Sequence, residues 1–337
     1  MRKFLTYFVL IVCGLSMVIP FAWMLSTSVK SQLEINKGNI GFIPTESFMG
    51  YNDGENIYKV KVVKTEGDYS YIHIFDENGK IIKGYQDLHT ANGQLIDTYM
   101  KVPSKDITET KRVIFRFRNF IDAWNKVPFA RYFLNTIFVS VFNVLGVIIT
   151  GALAAYAFAR MEFTGKDFIF YLFISMMMVP QPVYLIPSYI LLHKIGWLNT
   201  YQALIVPWIA NIFTIFLLRQ QFKTIPQELF DAASIDGCSR FGILRKIVLP
   251  LSRSVIATSA IFGFIGSWNS FMWPLVMIDD PNLRVLQVGL SYFSQEASSQ
   301  TTLLMAASTF SILPLVVLFL FAQKQIIASF ASSGLKG

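Results

Sequence analysis

The sequence predicts an all-α polytopic membrane protein with six transmembrane helices and one inserted, extracytoplasmic β-rich domain. Three observations carry that prediction. The chain of 337 residues is 53% hydrophobic and only 15% charged, with a mean hydropathy of +0.48, far from the balance of a soluble domain of this size. Six segments, at 4–25, 132–157, 168–192, 203–221, 255–278 and 303–322, are apolar over the roughly 20 helical residues that a ~30 Å hydrocarbon core demands. Between the first two of them, continuous apolar runs give way to alternation, the period of a strand.

The first span lies in residues 1–29, where Arg2 and Lys3 precede the apolar run. No small-x-small cleavage site follows near Trp23, so the segment reads as an uncleaved helix rather than a removed leader. Residues 30–126 form the insertion. At 57–62 apolar and charged residues alternate, 69–75 is a second strand candidate, and Asn78-Gly79 is a two-residue hairpin turn leading into Lys80-Ile81-Ile82. A small barrel or curled sheet accounts for this pattern. Residues 127–337 form the remaining helical core, with polar loops at 223–253 and 279–302.

Short loops set the orientation. Arg2, Lys3, Arg160, Lys166, Arg219, Lys223, Arg240, Arg245, Lys246, Arg253, Lys324 and Lys336 fall on one side, against Lys194 and Arg284 on the other. The excess of cations faces the cytoplasm. Both termini and the 223–253 loop are therefore expected inside a multi-pass bacterial plasma membrane protein, and the insertion outside. The net charge of +8 does not imply nucleic acid, because the cations flank apolar spans and form no basic helix. His73, His89 and His193 have no ligand spacing, so no metal site is expected. Cys13 and Cys238 sit in a span and a cytoplasmic loop, and do not pair. No phosphate-binding loop or nucleophile elbow is present, and no catalytic role is expected.

Within the spans, Pro180, Pro182, Pro187, Pro207, Pro274 and Pro314 interrupt backbone ladders, which is tolerated where protein or a water-filled cavity rescues the freed carbonyls. Gln181, Tyr184, Asn211, Trp268 and Asn269 lie at similar depth. Amides hydrogen-bond hydroxyls and indoles stack on the apolar face of a sugar, so these five are candidate pathway residues for a neutral, hydroxyl-rich solute. Hydrogen bonding between helices explains each of them equally well when taken singly. Charge is nearly absent inside the spans, which disfavours proton coupling.

The 223–253 loop carries the most informative pattern. Pro226 is placed to start a helix, Gly237 to end it with positive φ, and Ser239 to cap a second helix. Phe241, Leu244, Ile247 and Val248 recur on one face of that second helix. Ala232 and Ala233 make the first helix slim enough to enter a groove on another protein. An amphipathic hairpin lying on the membrane surface fits the same pattern.

The run Asp231-Ala232-Ala233, with Asp236-Gly237 and then Ile247-Val248-Leu249-Pro250, resembles the EAA motif of type I ABC importer permeases, which docks into nucleotide-binding subunits. Asp231 replaces the usual Glu, and Ser254 stands where a second Pro often sits. The run from Val179-Pro180-Gln181, Gly196-Trp197-Leu198-Asn199-Thr200-Tyr201, Leu217 to Phe222, and Trp268 to Leu275 is similar to the carbohydrate-uptake, MalG-like group. Gly334-Leu335-Lys336-Gly337 resembles that group's tail, which reaches the ATPase dimer. The insertion is the main departure.

The resemblance implies a non-catalytic permease subunit of an ATP-driven carbohydrate importer. Asp231, Ala232, Ala233, Asp236, Gly237, Phe241, Ile247 and Pro250 would be its ATPase-docking residues. Partners would be a second homologous permease in a heterodimer, two ABC ATPases, an extracellular solute-binding protein and membrane lipid. ATP and Mg would be used by the ATPases, with no cofactor bound by this chain. The 279–302 loop would probe the binding protein through Leu286, Gln287, Gly289 and Ser291, with Gly289 allowing close backbone approach; a solvated turn is the plainer reading. Alternatives are a peptide or polyamine importer, and a membrane-anchored sensor or assembly subunit.

Overall fold

The computed structural model describes residues 2–38, 41–52, 57–75, 87–91, 94–296 and 300–334. Its contacts divide the chain into two units, Met1–Ile121 with Ser299–Ala306, and Asp122–Ser298 with Ala307–Gly337.

In the first unit, helix α1 (Arg2–Ser28) leads to a short α2 (Gln32–Asn36) and six strands: β1 (Thr45–Asn52), β2 (Ile57–Glu66), β3 (Tyr69–Phe75), β4 (Asp87–Ala91), β5 (Gln94–Pro103) and β6 (Ile107–Val113). They form one sheet in the order β4-β5-β3-β2-β1-β6, with antiparallel neighbours. Alternation places the core. Val60 opposes Ile74 and Val62 opposes Ile72, and these pack with Val102, Tyr51, Tyr58, Met100 and Ile107. Lys59 and Lys61 point the other way. A register shift between Val62 and Lys64 leaves Val63 exposed. Among the described residues the sheet has edges at β4 and β6 and is not a closed barrel. Asn78-Gly79 and Lys80-Ile81-Ile82 lie outside the described residues.

The root of this unit is held by a buried ion pair absent from the sequence expectations. Lys30 and Glu34, 0% and 6% exposed, approach to 3.9 Å. The Lys30 ammonium also donates to the Gly41 carbonyl. Glu34 Oε1 accepts from Thr45 N and Thr45 Oγ1 at 3.0 and 3.2 Å. Asn119 Nδ2 donates to the Ser28 and Lys30 carbonyls, both at 2.8 Å. Two buried charges are tolerated because each is paired and hydrogen-bonded.

Helix α3 (Arg118–Lys126) begins in the first unit and ends in the second, which continues with α4 (Phe129–Arg160), α5 (Lys166–Met176), α6 (Gln181–Lys194), α7 (Tyr201–Ile205) and α8 (Ile212–Lys223). The segment expected as one span at 168–192 is two helices bent by 102°. Pro180, which has no N–H to continue α5, sits extended as the cap of α6 with φ −68° and ψ 142°. A 3₁₀ turn containing Pro207 separates α7 from α8. α4 and α8 approach closely: a Cβ on Gly146 would fall 2.4 Å from Ile209 Cγ2, and one on Gly151 2.9 Å from Thr214 Cγ2.

Next come α9 (Gln227–Ile235), α10 (Arg240–Ile243), a π-helical stretch over Leu244–Val248, α11 (Leu249–Leu251) and α12 (Arg253–Trp268). The last of these is bent by 83° from the helix before it. The single span expected at 255–278 stops at Trp268. Asn269 closes it, its amide donating back to the Ile265 carbonyl at 3.0 Å, before the short α13 (Met272–Met277). α14 (Leu286–Glu296) and α15 (Thr301–Gly334) complete the chain. By length and composition, four described helices can cross a membrane, or six if each bent pair is one span. α14 was expected as loop, yet Val285, Leu286, Val288 and Phe293 are buried, a helical period too short and too mixed with polar residues to read as a span.

Candidate functional site

A cavity of about 530 Å³ lies in the second unit. Thr136, Asn143 and Val147 reach it from α4, Gln181 from the start of α6, Trp208, Asn211 and Thr214 from the α7–α8 region, and Ser267, Asn269, Ser270 and Trp273 from the α12–α13 turn. Among the described residues, its lining holds no Asp, Glu, Lys, Arg or His. The interrupted helices explain this placement, since each break turns polar groups inward where an unbroken helix would present an apolar stripe.

Its hydrogen bonding is directional. Asn143 Nδ2 donates to the Leu204 carbonyl at 3.3 Å and to Ser267 Oγ at 3.1 Å, while Asn143 Oδ1 is buried with no hydrogen-bond partner. Trp273 Nε1 donates to the Ala203 carbonyl at 2.9 Å and meets Trp208 edge-on at 5.1 Å. Asn211 Oδ1 accepts from Thr214 N at 2.9 Å, capping α8. Gly263 and Gly266 on α12 leave open volume.

Of the five candidate pathway residues, Gln181, Asn211 and Asn269 line this cavity. Trp268 and Tyr184 do not. Trp268 is fully buried, its Nε1 donating to the Ser311 carbonyl at 3.0 Å between Phe133 and Phe264. Tyr184 packs beside the Trp273–Met277 cluster. Asn143, Trp208 and Trp273 were missed as candidates, although the asparagines at 135 and 143 within the second apolar run were a visible signal.

The docking-loop residues gather on one side of the bundle. Gln227 Nε2 donates to Asp231 Oδ1 at 3.0 Å. Pro226 precedes α9, Asp236 follows it, and Gly237 turns with φ +73°. Ser239 Oγ accepts from Gly242 N at 3.1 Å. Ala232 is exposed, but Ala233 is buried against Phe230, Ile243, Leu244 and Val248, with Ile247 packed beside them. Phe241 departs from the expected inward face. It is 64% exposed, as is Ile235 at 87%, because α10 runs into the π-helical stretch and Ile243, not Phe241, fills the inner position. Pro250 lies in α11, where its ring follows that stretch. Arg160, read from the sequence only as an orientation-setting cation, places its guanidinium 4.1 Å from the Phe230 ring centroid.

The four residues expected to meet a binding protein separate. Leu286 is fully buried, its N–H donating to Thr136 Oγ1 at 2.8 Å. Gly289 does permit a close approach, but to this chain's own Tyr132: a Cβ there would stand 2.2 Å from the ring. Both pack against this chain's own α4. Gln287 turns towards Asn269 Oδ1 at 3.3 Å and Ser311 Oγ at 3.4 Å, and Ser291 is half-buried. The exposed tip is instead 279–282. Asn199, with φ +56°, accepts from Asp279 N at 2.6 Å and from Asp280 N at 3.0 Å.

Comparison with known proteins gives these features a family. Residues 146–331 match the family described as binding-protein-dependent transport system inner membrane component. A probable ABC transporter permease, YurM of Bacillus subtilis, is 38% identical over 65% of this chain and 73% of its own. The arabinooligosaccharides transport system permease AraQ of Halalkalibacterium halodurans is 35% identical over 61% and 74%. The trehalose/maltose permease MalG of Thermococcus litoralis is 34% identical over 62% and 76%. A solved bacterial ABC transporter for the acidic polysaccharide alginate shares the fold, with a TM-score of 0.68 and 19% identity over 96% of this chain and 95% of that one. The match spans more than half of the sequence, including the docking loop and most of the cavity, and the chain belongs to the binding-protein-dependent transport system inner membrane component family.

Proposed function

We propose that this chain is one of two permease subunits in an ATP-driven importer and supplies part of the translocation pathway for an uncharged carbohydrate. The observation that carries the reading is the cavity: amides, hydroxyls and indoles line it with no ionisable side chain. Such a surface hydrogen-bonds hydroxyls and stacks on pyranose faces, and it offers no counter-charge for a polyamine, a peptide terminus or a uronate. The sugar-transport names of several relatives support the same class. Gln181, Asn211 and Asn269 bring side-chain amides to that lining.

The complex would include a second related permease, two ATPases and an extracellular binding protein. Both termini would be cytoplasmic, with each bent helix pair counted as one of six spans. The ATPases would engage α9 and the exposed Ile235 and Phe241, together with Asp231, Ala232, Asp236 and Gly237. The binding protein would meet the tip at 279–282 in place of Leu286 and Gly289. ATP hydrolysis by the reconstituted complex is the test. Neutral oligosaccharides presented with the binding protein should stimulate it, and peptides, polyamines and uronate oligomers should not. Stimulation by a charged solute alone would overturn the carbohydrate reading.

A further inference from the structure

Two arginines lock the C-terminal ends of α4 and α8 to each other. Arg160, the last residue of α4, donates through Nε to the Phe222 carbonyl at 3.1 Å, through Nη2 to the same carbonyl at 2.8 Å, and also to the Ile225 carbonyl. Arg219, on α8, returns the contact by donating through Nε to the Phe158 carbonyl of α4 at 3.2 Å. Phe158 and Phe222 lie in the last turns of α4 and α8, where carbonyls run out of intrahelical donors, and Ile225 lies in the link from α8 to α9. Each guanidinium also lies flat on a ring of a third element. Arg219 sits 3.9 Å from the Phe170 centroid on α5, and Arg160 sits 4.1 Å from that of Phe230 on α9. Arg160 Nη1 further donates to Gln227 Oε1, at the start of α9, at 3.0 Å.

The acceptors of Arg160 are neutral, so its contribution is geometric, a planar fork holding three partners at once, which a lysine cannot reproduce. The same helices reach the cavity away from the clasp, α4 through Thr136 near its start and Asn143 and Val147 at its middle, α8 through its cap Asn211 and Thr214. They are in tight contact at Gly151 and Thr214. We propose that Arg160 is a positioning residue that makes α9, α4 and α8 one lever, so that a displacement of α9 is delivered to the cavity wall. This rests on the reading of α9 as the ATPase-docking helix.

The test follows the cavity directly and needs no identified solute. In the full importer complex, with Cys13 and Cys238 replaced by Ser, S270C places a thiol in the cavity lining. Its labelling by a hydrophilic maleimide is compared with and without ATP and vanadate. In this background the rate should change at least about fivefold on trapping, and by less than about twofold once R160K or F230L is added, given ordinary magnitudes of coupling between sites. Both variants should still assemble and hydrolyse ATP, and F230L keeps an apolar side chain in the core. An undiminished change in both would overturn the clasp. Failure of both to assemble would also overturn it, since Arg160 would then serve folding alone. No nucleotide-dependent change even without these substitutions would overturn the docking reading, and the clasp with it, while leaving the carbohydrate assignment to its own assay.

Discussion

Gly237 and Gly289 illustrate opposite reasons for a glycine. At Gly237 no atom stands within 4 Å of a built Cβ, yet φ is +73°. Space is free and the backbone is the constraint. G237V should cost about 1–3 kcal/mol at the turn and abolish ATP-driven uptake while membrane insertion, followed by immunoblot of membranes, stays normal. At Gly289 the backbone is helical and the neighbour is the constraint, because a Cβ would enter the Tyr132 ring at 2.2 Å. G289L should therefore destabilise the packing of α14 on α4 by about 1–3 kcal/mol, read as a lower Tm of the purified protein. An unaltered Tm would mean that α14 does not rest there. The positive φ at residue 237 was legible from its place between two helical patterns. The Tyr132 contact was not, since nothing local pairs residues so distant in sequence.

Elements were legible where one period ran unbroken and became obscure where two met. β2 and β3 followed from alternation, and α4 from its long apolar run. The bends at Pro180 and Asn269 were concealed because hydropathy averages across a break, so each broken segment read as one span. The buried Lys30–Glu34 pair was hidden for a related reason: charge at the end of a span ordinarily signals exposure. Within the sheet, Glu46 on β1 accepts from Arg116 at 2.9 Å and faces Lys59 at 3.6 Å. Burial pushes its carboxyl up, but the Arg116 and Lys59 charges outweigh this and hold it below the ordinary 4.5. Its contribution is then complete above pH 4.5 and lost as pH falls through the lower folded value. E46Q should lower the Tm at pH 7, by an amount corresponding to about 1 kcal/mol or less, because half-exposed Arg116 is screened by water. The difference should vanish once the pH has fallen through that lowered value. A gap persisting there would assign the effect to packing.

For the molecule as a whole, orientation is the statement most open to direct test. A cysteine at exposed Lys61 on β2, in a Cys-free background, should react with a membrane-impermeant maleimide in intact cells. One at exposed Ile235 should react only after lysis. The reverse pattern would invert the topology and remove the docking assignment. Composition made the class readable, and the pattern at 231–250 made the family readable. The cavity was only half readable: Gln181, Asn211 and Asn269 are polar residues beside helix breaks, whereas Trp268 looks identical in sequence and is fully enclosed.

The pairing of β1 with β6 has a consequence for the history of the gene. Thr45 stands opposite Val113, so the strand that opens the sheet and the strand that ends it run side by side, about 5 Å apart. Sixty-odd residues leave the main path and return almost to the point of departure. A recombination event that inserted, removed or replaced the intervening codons would have left the flanking helices in frame and in place. Splicing a two-residue turn between Thr45 and Val113 would excise the intervening residues in one step.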